Sequence, residues 1–421
     1  MENAVLLRGG TVYTGTGLIK ADVLMGDGVI KAVEPWIEAP WAQVFPAEGL
    51  IISPGFVDLH VHLREPGFFY KETVKTGTLA AAAGGFTTVC AMPNVNPVPD
   101  CPEALEKQLD IIRREALVEV IPYGAITKGE KGLELADIGE MAPYCAGFSD
   151  DGKGVQASDM MERAMERVAR AGSLIAAHCE EESLIPKGGC VHDGLAAGRY
   201  GLPGIPSKSE WLPIQRDLEL VEKTGARYHV CHVSAKESVE LIRKARKKGL
   251  PVTCECTPHQ IMLCDEDIGE DDGRFKMNPP LRGREDRAAI LEGLLDGTIG
   301  IIATDHAPHS REEKSRGLAG SVFGVIGLET ALGVCYTALV KPGRMTLEEL
   351  LNKLTKNPAA LLHREAVLKP GVRADVTVLD TEKVWRVEPE EFRSMGRATP
   401  FAGMELTGKV MATFYGGKRV F

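Results

Sequence analysis

From about Pro54 to His363 the chain alternates short apolar runs with longer amphipathic stretches. Eight apolar runs can be placed, ending near His60, Asn94, Ile126, Asp150, His178, His232, Thr257 and Asp305. Residues 159–169 and 238–245, which lie between runs, repeat apolar positions at helical spacing. This rhythm predicts parallel strands joined by crossover helices. Eight such units in roughly 300 residues suit an α/β fold of the (β/α)8 TIM-barrel type, whose chemistry sits at the carboxyl ends of the strands. The flanks have a different texture. Residues 5–13 and 21–25 are β-rich and are followed by the turn signal Gly26-Asp27-Gly28, and residues 374–380 and 409–417 look alike. Neither flank is long enough to bury a core by itself. The expectation is therefore a barrel over residues 54–365 and one small β-sandwich built from both chain ends, residues 1–53 and 366–421.

Composition narrows the class. At 421 residues, 44% hydrophobic and 26% charged, the chain has the profile of a soluble globular protein. A formal net charge of −10 without a basic tract argues against nucleic-acid binding. No apolar run is long enough to span a membrane, and the first 16 residues lack the order of a signal peptide. The ten cysteines show no regular framework, which fits reduced thiols in a cytoplasm. Cys254 and Cys256 have no second pair to complete a metal clip and read as buried strand cysteines.

The candidate chemistry gathers at the run ends. In His60-Val61-His62-Leu63-Arg64 the two imidazoles and the guanidinium share one face of an extended strand. Two neutral imidazoles can hold Zn²⁺ or a similar ion, and the adjacent cation can hold an anionic substrate. His178, His232 and Asp305 close three other runs, and Asp150-Asp151-Gly152 follows a fourth. A barrel would aim all of them into one bowl, as a metal centre requires. His229 lies three residues before His232, so alternation sends it to the other face. His192 and His363 read as surface or packing residues, and His259 as structural. The charged segment 310–317 is either a lid over the bowl or a solvated loop.

Five segments together resemble the class I dihydroorotases, which are cyclic amidohydrolases of the amidohydrolase superfamily. These are His60-Val61-His62-Leu63-Arg64-Glu65-Pro66-Gly67, Ala91-Met92-Pro93-Asn94, Asp150-Asp151-Gly152, Asn278-Pro279-Pro280-Leu281-Arg282 and Asp305-His306-Ala307-Pro308-His309. The resemblance runs from about Leu6 to Phe421. It implies a cytoplasmic enzyme of pyrimidine biosynthesis, the reversible zinc-dependent cyclisation of N-carbamoyl-L-aspartate to L-dihydroorotate, and one or two Zn²⁺ per subunit. By the same resemblance His60, His62 and Asp305 hold one ion, His178 and His232 hold the second, and Asp151 bridges the two. Asp305 doubles as the acid–base group. Arg64, Asn94 and His309 grip the substrate carboxylate beside His62, while Asn278 and the backbone at Phe323 and Gly324 bind the ring amide.

The nearest alternatives are a hydantoinase or an allantoinase, whose metals are bridged by a carboxylated lysine. Here that position reads Asp151, with Lys153 close behind. A catalytically inactive structural partner of aspartate carbamoyltransferase would lack metal ligands, and none is missing. Homodimerisation and a complex with that carbamoyltransferase are left open by the resemblance. A small-molecule substrate, with neither nucleic acid nor membrane, completes the expected partners.

Overall fold

Eight parallel strands surround a common axis in the computed structural model, which describes residues 4–421. In order they are Phe56–Val61, Phe86–Ala91, Glu119–Pro122 continued by Gly124–Ala125, Phe148–Ser149, Leu174–Ala177, Arg227–Val230, Val252–Cys256 and Ile301–Ile302. Each pairs in parallel with the next. The third strand changes partner around Tyr123, whose N–H donates to the Ala91 carbonyl. A parallel bridge between Val61 and His306 closes the ring, with a 2.8 Å bond from His62 N to His306 O. The eight apolar runs are these eight strands.

Strands buried on both faces read as continuous apolar runs, and Phe56–Val61 is buried at every position. Val57, Leu59, Cys90, Tyr123, Leu174, Ala176 and Ile301, drawn from most of the strands, form one apolar cluster. The ring is thus packed through its middle, and only its carboxyl end is open as a bowl. Outside it, helix Ser158–Arg170 turns Met160, Met161, Ala164, Met165 and Val168 inward, the stripe expected of a helix with one covered face.

The chain ends meet in one eight-stranded sheet. Strand Ile51–Pro54 pairs parallel with Val5–Tyr13 and antiparallel with Val376–Arg386. Leu7, Val23 and Ile30 share an apolar interior with Val376, Val378 and Phe414, so the β-sandwich is built from both ends of the chain. It rests on the barrel through Thr377 Oγ1, which donates to Gly85 O at 2.6 Å, and Thr413 Oγ1, which donates to Ala82 O at 2.7 Å. The chain passes from sheet to barrel at Gly55, where a Cβ would come within 2.0 Å of Thr87 Oγ1.

Two segments depart from their sequence texture. The connection 387–404, which lies between the last long strands, packs on the barrel mouth rather than on the sheet. Val387 and Phe401 share a core there with Leu263, Phe275 and Leu318. Segment 310–317 folds into the short helix Arg311–Lys314 with a capping box at Ser310. The buried Lys314 amine pins it, donating to Lys276 O at 3.0 Å and Val322 O at 2.8 Å. No described helix is long and apolar enough to cross a membrane.

Candidate active site

The bowl is fixed by buried bonds between its first and last strands. The Asp58 carboxylate accepts from His60 N at 3.0 Å, Thr304 N at 3.1 Å and Thr304 Oγ1 at 2.6 Å. These bonds hold the backbone that carries His60 and His62 against the backbone that carries Asp305. Three of the chain's non-glycine residues with positive φ lie at this site: Arg64 at 62°, His232 at 34° and Asp305 at 49°. Such conformations are costly and persist where the surroundings dictate them, typically where side chains must be aimed.

Asp151 stands at the centre. Its Oδ1 lies 3.4 Å from His60 Nε2, 3.6 Å from His178 Nδ1 and 3.9 Å from His232 Nε2. Its Oδ2 lies 3.6 Å from His62 Nε2. Asp305 Oδ1 is 3.2 Å from His62 Nε2 and 3.6 Å from His60 Nε2. His60, Asp151 and His232 offer ligand atoms within 4.8 Å of one another, as do His60, His62 and Asp305. The donor set of imidazoles and carboxylates suits zinc and similar divalent ions. His60 Nε2 and Asp151 Oδ1 are both buried and lack a hydrogen-bond partner, a costly state that a shared cation relieves. The residues present fit a metal centre.

The electrostatics agree. Burial alone would depress His60, yet the Asp151 carboxylate beside it raises the imidazole well above its usual value. Burial is likewise overcome at His178, which Asp151 and Glu180 raise to about 10. The carboxylates therefore demand positive charge, supplied by protons or by a metal that displaces them, so metal affinity falls as pH falls. Cys231 and Glu255 form a further group with His60. Burial, with Glu255 beside it, pushes the Cys231 thiol up to about 12.

Sequence reasoning missed the carboxylates behind the imidazoles. Glu255 Oε1 lies 3.1 Å from His60 Nδ1, and its Oε2 lies 3.0 Å from His229 Nε2. Burial works to raise Glu255, but His229 and His60 hold it down at about 2. Glu180 Oε2 sits 3.6 Å from His178 Nε2. Such partners fix the orientation of metal-binding imidazoles. Glu255→Gln is expected to weaken divalent-metal affinity by about 10- to 100-fold, measured by competition with a chelator; unchanged affinity would leave Glu255 a packing role only.

A cavity of about 180 Å³ opens over this cluster. It is lined by every site residue named from the sequence except His60, which is fully buried behind it. Asn94 spans two neighbours, with Oδ1 2.8 Å from His62 Nδ1 and Nδ2 donating to Asp151 Oδ2 at 3.1 Å. Asn278 Nδ2 donates to Glu180 at 3.0 Å. Gly324 has φ +127°, and a Cβ there would meet Ala307 O at 2.7 Å, so only glycine brings that backbone to the wall.

Arg64 is not a surface charge. It is 8% exposed, its Nε donates to Pro308 O at 3.1 Å, and Nη2 lies 3.2 Å from His309 Nε2. Burial lowers it to about 10, which leaves a full cation at neutral pH. No carboxylate among the described residues lies within 4.0 Å of it. A buried, unpaired cation at the cavity wall calls for an anion from outside.

The remaining histidines are accounted for nearby. His259 is buried with its Nε2 unpartnered, and burial holds it down at about 4. His192 contacts Arg282 at 3.3 Å, and the exposed His363 meets Arg227 at 2.7 Å.

Comparison with known proteins follows the same line. The dihydro-orotase-like family profile matches residues 49–238. The chain is 50% identical over 416 residues to the dihydroorotase of Bacillus thuringiensis (strain Al Hakam), covering 98% of this chain and 97% of that one. To the dihydroorotase of Bacillus cereus (strain AH187) it is 51% identical over 403 residues, covering 95% and 94%. In fold it is similar to the L-hydantoinase (dihydropyrimidinase) from Arthrobacter aurescens, with a TM-score of 0.89, 26% identity and coverage of 100% and 96%. The dihydropyrimidinase from Brevibacillus agri NCHU1002 gives 0.86 at 20% identity, covering 99% and 94%. Half of the residues are shared with relatives over nearly the full length of both chains, and the chain belongs to the dihydroorotase family of the amidohydrolase superfamily.

Proposed function

We propose that this enzyme is a dihydroorotase, catalysing the reversible cyclisation of N-carbamoyl-L-aspartate to L-dihydroorotate. The observation that carries the substrate assignment is Arg64, a buried cation without a carboxylate partner beside the imidazole–carboxylate cluster. Dihydroorotate carries its carboxylate on the ring carbon one methylene away from the carbonyl to be attacked, so one ligand satisfies the cation and meets the cluster. Interconversion of the two compounds by the purified protein, with metal analysis, tests the reading. Turnover of hydantoin or dihydrouracil without dihydroorotate would reject it.

Zinc is the proposed ion. His60, His62 and Asp305 would hold one, His178 and His232 a second, and Asp151 both. When bound, such an ion supplies Lewis acidity, polarising a carbonyl oxygen and making water acidic enough to act near neutrality.

The chain's own residues do the rest. Arg64 and His309 orient the ring by its carboxylate, while Asn278 and the Phe323–Gly324 backbone face the amide. Asp305 takes the proton of the attacking water and hands it to the departing ring nitrogen. In the cyclising direction protonated Asp305 gives its proton to the leaving oxygen and takes up the one released by the attacking ureido nitrogen, as microscopic reversibility requires.

A hydantoinase-like reading would need a lysine between the metals. Asp151 stands among the four imidazoles instead, and the Lys153 side chain is exposed. Lys153→Met is therefore expected to keep full metal content, and Asp151→Ala to lose it. A carboxylated Lys153 found by mass spectrometry and seen on the metals would overturn both the bridge and the class.

A further inference from the structure

We propose that Lys71 sets the tautomer of His309, so that His309 presents an Nε2–H to the anionic group in the cavity. This rests on the reading of Arg64 and His309 as the carboxylate clamp. Lys71 lies on the loop after the first strand and His309 on the loop after the last, and their side chains meet behind the cavity wall.

Lys71 Nζ is 3.2 Å from His309 Nδ1 and 2.9 Å from Glu313 Oε1. Glu313 is itself fixed, because its Oε2 accepts from Ser310 N and Ser310 Oγ, each at 3.0 Å. The ammonium thus bridges an anchored carboxylate and one ring nitrogen. Two donor-only cations flank the ring, the Lys71 ammonium at Nδ1 and the Arg64 guanidinium at Nε2, each at 3.2 Å; a neutral ring accepts from one of them alone, and the clamp reading gives that place to Lys71. A neutral imidazole carries a single N–H, and His309 is neutral. Burial, reinforced by Arg64, Lys71 and Lys314, holds it down at about 2. With Nδ1 accepting, the proton sits on Nε2.

The other side of the ring fits that assignment. Beside Nε2 stands Arg64 Nη2 at 3.2 Å, on a guanidinium that can only donate. Two N–H donors therefore lie side by side at the cavity wall with no acceptor between them. A carboxylate oxygen placed there satisfies both.

The opposite tautomer would defeat the site. Nε2 would then accept from Arg64, and the guanidinium would be capped by its own neighbour instead of left for substrate. Lys71 prevents this by occupying Nδ1. The helical turn 311–314 acquires a purpose as well, since its Ser310–Glu313 capping box holds the lysine in place. Lys71 is a positioning residue and touches no reacting atom.

The experiment uses the metal-loaded enzyme labelled with ¹⁵N-histidine, with His309 assigned by the His309→Gln variant. Wild type is expected to show the Nε2–H form by ¹⁵N shifts. Lys71→Met is expected to lose that fixed form, and Lys71→Arg, which keeps a cationic donor, to retain it. In parallel, Lys71→Met should raise KM for dihydroorotate by about 10- to 100-fold, the worth of one charge-assisted bond. Its kcat should change by less than about threefold, and Lys71→Arg should recover most of the KM effect. An Nδ1–H form in wild type, an unchanged tautomer in Lys71→Met, or an unchanged KM would each overturn the proposal. Wild type that does not turn over dihydroorotate would defeat the functional reading alone, and the ring shifts would still decide the role of Lys71.

Discussion

Asp305→Asn is expected to cut turnover of dihydroorotate by about 10²- to 10⁴-fold while the protein stays folded. Asparagine preserves the shape of the side chain and one ligand oxygen, but it cannot take or give the proton. The environment suits the carboxylate to the hydrolytic direction. Burial acts to raise Asp305, yet His62, His60 and His232 outweigh it and hold the group below the usual carboxylate range. It is therefore ionised at neutral pH and ready to accept. Cyclisation needs the protonated form and should be favoured as pH falls, whereas hydrolysis should be lost over the same range. Measuring kcat in both directions, with metal content and thermal unfolding, separates proton transfer from ligation. Retention of more than about a tenth of wild-type turnover would remove the proton-shuttle role. A loss matched by loss of metal would make Asp305 a ligand only.

Why so much of this site is readable in the chain follows from the barrel itself. Strands such as Phe56–Val61 are buried on both faces and stand out as apolar runs, and parallel closure carries all their carboxyl ends to one side. His60, His178, His232 and Asp305 are far apart in sequence, yet a count of run ends is enough to bring them together. The supporting groups obey no such rule. Glu255 sits inside Val252–Cys256, where a lone charge in a buried strand was the available signal. Glu180 follows His178 by two residues just past the end of strand Leu174–Ala177 and comes within 3.6 Å of its ring.

Other contacts leave no trace in periodicity. Lys71 and His309 are separated by 238 positions, and Ser394 reaches the buried Glu72 across 322. Ser394 lies in the 387–404 connection, whose irregular sequence gives no hint that it caps the bowl. Glu72 in turn lies 3.5 Å from His306, the residue that follows Asp305. A loop from the end of the chain thus buttresses the backbone of a site residue, a fact accessible only once the barrel and the sandwich are folded onto each other.

The substrate assignment turns on Arg64, and Arg64→Met should raise KM for dihydroorotate strongly while leaving slow hydrolysis of dihydrouracil nearly unchanged. The two rings differ only in the carboxylate, so the comparison isolates the clamp from the metal cluster. Methionine fills much of the volume of the arginine stem, which limits collapse of a residue that is 8% exposed. Losing a pair of charge-assisted hydrogen bonds costs roughly 2–4 kcal/mol, or some 30- to 900-fold in kcat/KM. The buried guanidinium also donates to Pro308 O, so the variant exposes one carbonyl to a missing partner, and a folding control is required. If both substrates lose activity equally, Arg64 supports the loop that carries His309 and not the carboxylate. The cation would then need another explanation, and the case for dihydroorotate over its uncharged relatives would rest on sequence similarity alone.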